Sequence, residues 1–225
     1  MKKPVVDYSE FRLYKINDPR FSHLKLLLGW VGYFILYFIT ENLIPVEYCV
    51  PVHMWLDDLI PFCEWFLIPY VFWYGLIVFS LGYFLLYNVD SFKRLQIFII
   101  VTQVCAMAIY IIFPNRQDLR PAVFPRDNFL TQCIGVLYRF DTNTGVCPSL
   151  HVAYSIGIAS VWVKQKVSKG WKAFVVVSVI LICLSTMFIK QHSAVDFFAA
   201  LPVCLLAEAI VYGREHWWEK ICRRA

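Results

Sequence analysis

Two histidines, one carboxylate and a few isolated cations are the residues of this 225-residue chain best suited to chemistry. They fall in three strings: Arg120-Pro121, Pro148-Ser149-Leu150-His151, and Ser185-Thr186-x(5)-His192-x(3)-Asp196. A phosphate ester site needs cations, backbone donors, a nucleophile and an acid for the leaving oxygen, and these strings contain all four. Pro148 suits the first position of a helix. Ser149 and His151 then occupy a first turn, where free N–H groups and the helix dipole attract an anion. Ser193 with Asp196 reads as a capping box that opens another helix, with His192 immediately before the cap.

Those strings need elements to carry them, and composition says which kind. The chain is 60% apolar, 18% aromatic and 16% charged, with a mean hydropathy of +0.59. Soluble domains run nearer 45 to 50% apolar and about 25% charged, so much of this surface faces something other than water. Disorder, collagen, a coiled coil and a small disulfide scaffold are excluded by the same numbers. Apolar runs at Leu26–Ile44, Trp65–Tyr87, Leu95–Phe113, Leu150–Val163, Ala173–Ile189 and Phe197–Tyr212 predict six membrane-spanning helices. The fourth reaches only about 21 Å as a helix, so it is expected to extend through Ser149 at one end and through Lys164 and Lys166 at the other.

Sixteen of the 21 Lys and Arg residues fall before the first span, in the second-to-third and fourth-to-fifth connections, and in the tail. By the positive-inside rule both termini are cytoplasmic. The net charge of +5 is therefore a topology signal, and no nucleic-acid partner is implied. The chain divides into a cytoplasmic segment (1–25), one six-helix membrane domain (26–212) and a cytoplasmic tail (213–225), with no cleavable signal peptide evident. Five basic residues remain outside: Arg116, Arg120, Arg126, Arg139 and Lys190. The first outer segment carries Trp55, Leu56, Leu59 and Ile60 opposite Asp57 and Asp58, a pattern for a short helix lying in the interface, as a gate or simply a connector. Cys49, Cys63, Cys133 and Cys147 lie outside, either as disulfides of unassigned pairing or as free thiols. No spacing suggests a metal, and no cofactor is implied.

All three strings lie where a predicted span meets the outer face, and together they resemble the type 2 phosphatidic acid phosphatase superfamily. That family's pattern is Lys-x(6)-Arg-Pro, then Pro-Ser-Gly-His, then Ser-Arg-x(5)-His-x(3)-Asp, on a six-helix membrane core. The resemblance covers spans three to six. Leu56-Asp57-Asp58-Leu59-Ile60-Pro61-Phe62 also looks like the branch that includes inositol phosphorylceramide synthases. It implies that His192 is the nucleophile, passing through a phosphohistidine, that Asp196 orients it, and that His151 is the general acid. Arg120, Ser149 and Ser185 are implied phosphate ligands. A helix N-terminus disfavours an imidazolium, so bound phosphate would have to restore the proton on His151.

Three departures remove two positive charges: Phe113 stands for the first-motif Lys, Leu150 for Gly, and Thr186 for the third-motif Arg. Lys190, one turn beyond Thr186, and Arg116, one turn before Arg120, are candidate replacements, Lys190 the better placed. Lys190 and His192 are two residues apart and would diverge on a continuous helix, so the fifth span should end near Ile189 or Lys190. Plainer roles are weighed beside these: His151 as an interfacial histidine, Asp196 as only a cap, Arg126 and Arg139 as solvated charges, Glu208 as an acid near the inner end, and Phe72, Trp73 and Tyr74 as packing or lipid-facing rings.

The leading expectation is a metal-independent lipid phosphate phosphatase in a bacterial plasma membrane, working on a phosphorylated lipid at the outer leaflet. Two alternatives stand beside it: a transferase of phospho-head groups, in which an alcohol intercepts the covalent intermediate, and a non-catalytic lipid carrier with a degenerate site.

Overall fold

The computed structural model describes residues 4–213, and within them the regular structure is helical apart from one pair of two-residue strands. Lys2, Lys3, Arg214, Lys220, Cys222, Arg223, Arg224 and the tail beyond 213 lie outside the described residues. The helices are α1 (Leu28–Leu43), α2 (Trp55–Leu59), α3 (Leu67–Tyr87), α4 (Val89–Ile112), α5 (Phe129–Phe140), α6 (Leu150–Val163), α7 (Lys169–Phe188) and α8 (Ala194–Gly213). Counting the 3-10 turns that lead into α1 and α3, five helical stretches are long and apolar enough to cross a membrane: Ser22–Leu43, Glu64–Tyr87, Val89–Ile112, Lys169–Phe188 and Ala194–Gly213. Such stretches are compatible with an integral membrane protein.

The remaining apolar helix, α6, keeps its 14 residues. The expected extension does not occur: Ser149 is its N-cap and Lys164 its C-cap. Position explains the length. α6 packs against α3, α4, α7 and α8 and is buried on most sides, so protein surrounds it and bilayer thickness does not set its length. Gly157 makes this packing possible, since a Cβ there would lie 2.6 Å from the buried Phe98 ring of α4. α1 is the opposite case. It has no buried residue and rests on α4, where Gly29 meets Ile100 and where Gln96 accepts from the Trp30 indole (3.3 Å) and donates to the Leu26 carbonyl (3.1 Å).

Polar pairs cross-link the buried helices. The Trp162 indole of α6 donates to Ser80 of α3 (3.0 Å), and Lys164 pairs with Glu208 of α8 (2.6 Å), which gives that acid a partner at the end of α6 far from His151. Val, Leu and Phe side chains of α1, α3, α7 and α8 face outward.

The connections at the other end form a layer that the sequence only partly announces. Val50–Pro51 (β1) pairs in parallel with Asn115–Arg116 (β2), tying the first connection to the one after α4. α5, an amphipathic helix not expected from the sequence, is opened by an Asn128–Thr131 capping box. α2 lies where the short helix was predicted, with Trp55 and Leu59 two-thirds exposed and Asp57 buried against the protein. Arg126, expected as a solvated charge, forms a two-pronged ion pair with the buried Glu64, both contacts at 2.7 Å, while Arg139 is exposed. Cys49, Cys63, Cys133 and Cys147 are free thiols.

The close approach at Gly157 generates a test. Gly157→Ala should destabilise the fold by about 1–3 kcal/mol through overpacking, seen as a lower midpoint of thermal unfolding in detergent. Gly75→Ala, where a Cβ meets nothing within 4 Å, should leave that midpoint in place.

Candidate active site

α7 stops where the divergence of Lys190 and His192 required. Phe188 is its last residue, Ile189 caps it, and Lys190 adopts a left-handed φ of 55° that turns the chain. The Gln191 and His192 N–H groups both donate back to the Thr186 carbonyl (2.9 and 3.0 Å), satisfying the end of α7 before α8 begins. Ser193 is the residue before α8, and its N–H donates to Asp196 Oδ2 (3.0 Å), as the capping box predicted.

The same oxygen, Asp196 Oδ2, bonds His192 Nδ1 (3.0 Å). With Nδ1 held as the protonated nitrogen, Nε2 is the one left with a lone pair for a reactant. Asp196 is fully buried and His192 nearly so. The His151 ring centre lies 5.6 Å from that of His192. His151 is wedged between Tyr70 (4.8 Å, stacked) and Trp73 (4.3 Å), and its Nε2 has no partner among the described residues. Two imidazoles from distant stretches of chain thus share one pocket.

Pro148 does not open α6 as expected but precedes its Ser149 N-cap; the Pro148 carbonyl accepts from the Tyr110 hydroxyl (2.6 Å), and the Ser149 N–H donates to the Asp196 carbonyl (3.1 Å). Ser149 is buried and its hydroxyl accepts from the Val152 N–H (3.4 Å), so it serves as a cap. Burial, with Asp196 nearby, pushes the Cys147 thiol up to about 12, so it stays protonated at neutral pH.

Both histidines open on a cavity of about 570 Å³. Near them its wall carries Asp141, Thr142, Thr144, Tyr37 and Gln191; further along, Trp30, Phe34, Ile77, Val78 and Leu81 line it between α1 and α3. Trp73 and Tyr74, read from the sequence as packing or lipid-facing, belong to this lining, whereas Phe72 points at Phe174.

None of the expected cationic phosphate ligands lines the cavity. Arg120 comes nearest, but its guanidinium donates to the carbonyls of Tyr138 (3.1 Å), Asp141 (2.6 Å) and Thr142 (2.8 Å) and to Gln191 Oε1 (2.6 Å), leaving Nε without a partner. Burial lowers its pKa, against the pull of Asp141. Lys190 turns the other way and donates to the Asp57 (3.0 Å) and Ile60 (2.5 Å) carbonyls at the end of α2. Burial lowers its pKa too, opposed by Asp57 and Asp58. Arg116 pairs with Asp118 (3.1 Å) and donates to the Val46 and Cys49 carbonyls. The Ser185 hydroxyl donates to Ile182 within α7.

The α8 N-terminus is also taken. Asp57 reaches across from α2, and its carboxylate accepts from the Ser193 hydroxyl (2.6 Å), the Ala194 N–H (2.7 Å) and the Met54 N–H (2.9 Å). The positive end of α8 therefore faces a resident carboxylate, and an incoming anion cannot use it. These three donors offset the cost of withdrawing the Asp57 carboxylate from water.

Sequence reasoning passed over Asp141. Its Oδ2 accepts from the Tyr70 hydroxyl (2.9 Å) and from Gln191 Nε2 (2.8 Å), so it reaches His151 through the stacked Tyr70 ring and His192 through the preceding residue. Among the described residues no group of three or more His, Cys, Asp or Glu could hold a metal ion. Compared with known families, curated proteins and solved structures, the chain matches none.

Asp57→Ala should leave two α8 donors buried without partners. Its expected cost is about 1–3 kcal/mol, read as a lower midpoint of thermal unfolding in detergent. Asp58→Ala, whose carboxylate meets only the exposed His53, should change the midpoint little.

Proposed function

We propose that this chain is a metal-independent lipid phosphate phosphatase that works through a phosphohistidine at His192. The observation that carries the reading is the pairing of an Asp196-held His192 with His151 at the head of a cavity whose far walls are apolar. In the proposed cycle, His192 Nε2 attacks phosphorus while Asp196 stabilises the charge that develops on the ring. The P–O bond to the lipid breaks, and His151 donates a proton to the departing alkoxide. Water then attacks the phosphohistidine and gives its proton to His151, releasing phosphate and both histidines. Positioning lets each histidine act where no bulk water competes.

Six spans, with α6 as the short central one, and both termini in the cytoplasm complete the reading. The site then lies on the extracytoplasmic face of a plasma membrane, bacterial in our reading, and the slot between α1 and α3 holds the lipid chain. Positive-inside asymmetry supports this sidedness: Arg12, Lys15, Arg20, Lys25, Lys93, Arg94, Lys164, Lys166, Lys169 and Lys172 gather at the end opposite the histidines.

A second reading has its own support. With every candidate cation engaged by protein groups, the cavity is poorly equipped for a phosphomonoester dianion, which favours transfer of a phospho-head group from a diester to an alcohol through the same His192 intermediate.

The decisive assay measures phosphate and diacylglycerol released from lipids in detergent. His192→Ala should reduce both to background and His151→Ala by about 10² to 10⁴, with EDTA without effect. Turnover that survives His192→Ala would reject both readings, and lipid binding with no turnover in the wild type would leave a lipid-binding protein. Val78→Trp, which fills the slot, should raise KM for long-chain lipids by more than for short-chain ones.

A further inference from the structure

We infer that the cavity takes a lipid phosphodiester whose head group carries an ammonium, and that Asp141 is the specificity residue that receives it. The inference rests on the His192 transfer reading and narrows its substrate.

Charge is the first observation. No Lys or Arg lines the cavity, whereas Asp141 does. A phosphomonoester brings close to two negative charges at neutral pH and would meet the Asp141 carboxylate in a wall that holds no Lys or Arg. A phosphodiester brings one, and a head-group ammonium cancels it. Shape and polarity are the second. Asp141 Oδ2 is filled by Tyr70 and Gln191, while Oδ1 accepts no bond from the described residues. Asp141 shares the cavity wall with both histidines, and its Oδ2 partner Tyr70 stacks on His151. Tyr33, Tyr37, Trp73 and Tyr74 line the same cavity and offer ring faces to a cation. A polyol head group fits less well. It needs several donors and acceptors, yet the Thr142 and Thr144 hydroxyls already donate to Glu41.

The reaction then balances as follows. A bond forms between His192 Nε2 and phosphorus as the bond from phosphorus to the diacylglycerol oxygen breaks, and that oxygen takes a proton from His151. The phospho-head group on His192 passes to an alcohol or to water, whose proton returns to His151.

Two measurements on the full chain in maltoside micelles decide the matter. The first is diacylglycerol formation from phosphatidylethanolamine, phosphatidylcholine, phosphatidylinositol and phosphatidate. Wild type should prefer one of the first two by about tenfold or more, and Asp141→Asn should cut that lipid's kcat/KM about tenfold while leaving phosphatidate unchanged or faster. The second is binding of lysophosphatidylcholine against lysophosphatidate by calorimetry, in wild type and in His192→Ala, which needs no turnover. Preference for lysophosphatidylcholine in both proteins is expected. Preference for phosphatidate or phosphatidylinositol, or an equal loss on all lipids in Asp141→Asn, overturns the head-group assignment. If that variant does not fold, the wild-type preference alone decides. Selective binding with no turnover of any lipid would instead overturn the transfer reading and leave the head-group assignment standing.

Discussion

One carboxylate oxygen, Asp196 Oδ2, holds both the start of α8 and the orientation of His192. A bond from Ser193 sets where the helix begins, and a bond from His192 sets which ring nitrogen is left for chemistry. Since both donors share one acceptor, the imidazole cannot swing away without loosening the helix. α6 is tied to the same point, because its Ser149 N–H donates to the Asp196 main chain. The distance between the two histidines is in this sense a property of the α7–α8 corner.

That corner is clamped from outside by a reciprocal exchange. Asp57 on α2 accepts the free donors of α8, while Lys190 on the corner donates to the carbonyls that α2 leaves unsatisfied. Each helix end is closed by a charge of the sign its dipole favours. Placing Trp55 and Leu59 outward follows from this exchange and suits a helix lying at a bilayer surface.

The cations show the same economy. Connections with little regular structure carry many carbonyls, and at a membrane surface these are partly withdrawn from water. Arg120, Arg116 and Lys190 satisfy seven such carbonyls between them. They build the rim of the site and leave its interior to aromatic rings, two imidazoles and Asp141. A cavity of that kind favours a ligand with little net charge and a long apolar part.

The helices were legible because a bilayer demands about 20 apolar residues per span, and the end of α7 because two residues that must face one pocket could not share a helix face. His151, His192 and Asp196 were legible as a set, since capping chemistry and motif order are local in sequence. The expected extension of α6 was wrong, because burial by neighbouring helices is not written in a helix's own composition. Equally, the directions taken by Arg116, Arg120, Lys190 and Asp57 depend on partners up to 137 residues away. Asp141 carried no signal beyond being one acid in a long connection. Local periodicity and capping therefore determined the long helices and the α7–α8 corner, while the order of three short strings singled out His151, His192 and Asp196. Tertiary packing alone decided where the long charged side chains went, because a flexible side chain pairs with whichever unsatisfied group the fold brings within reach.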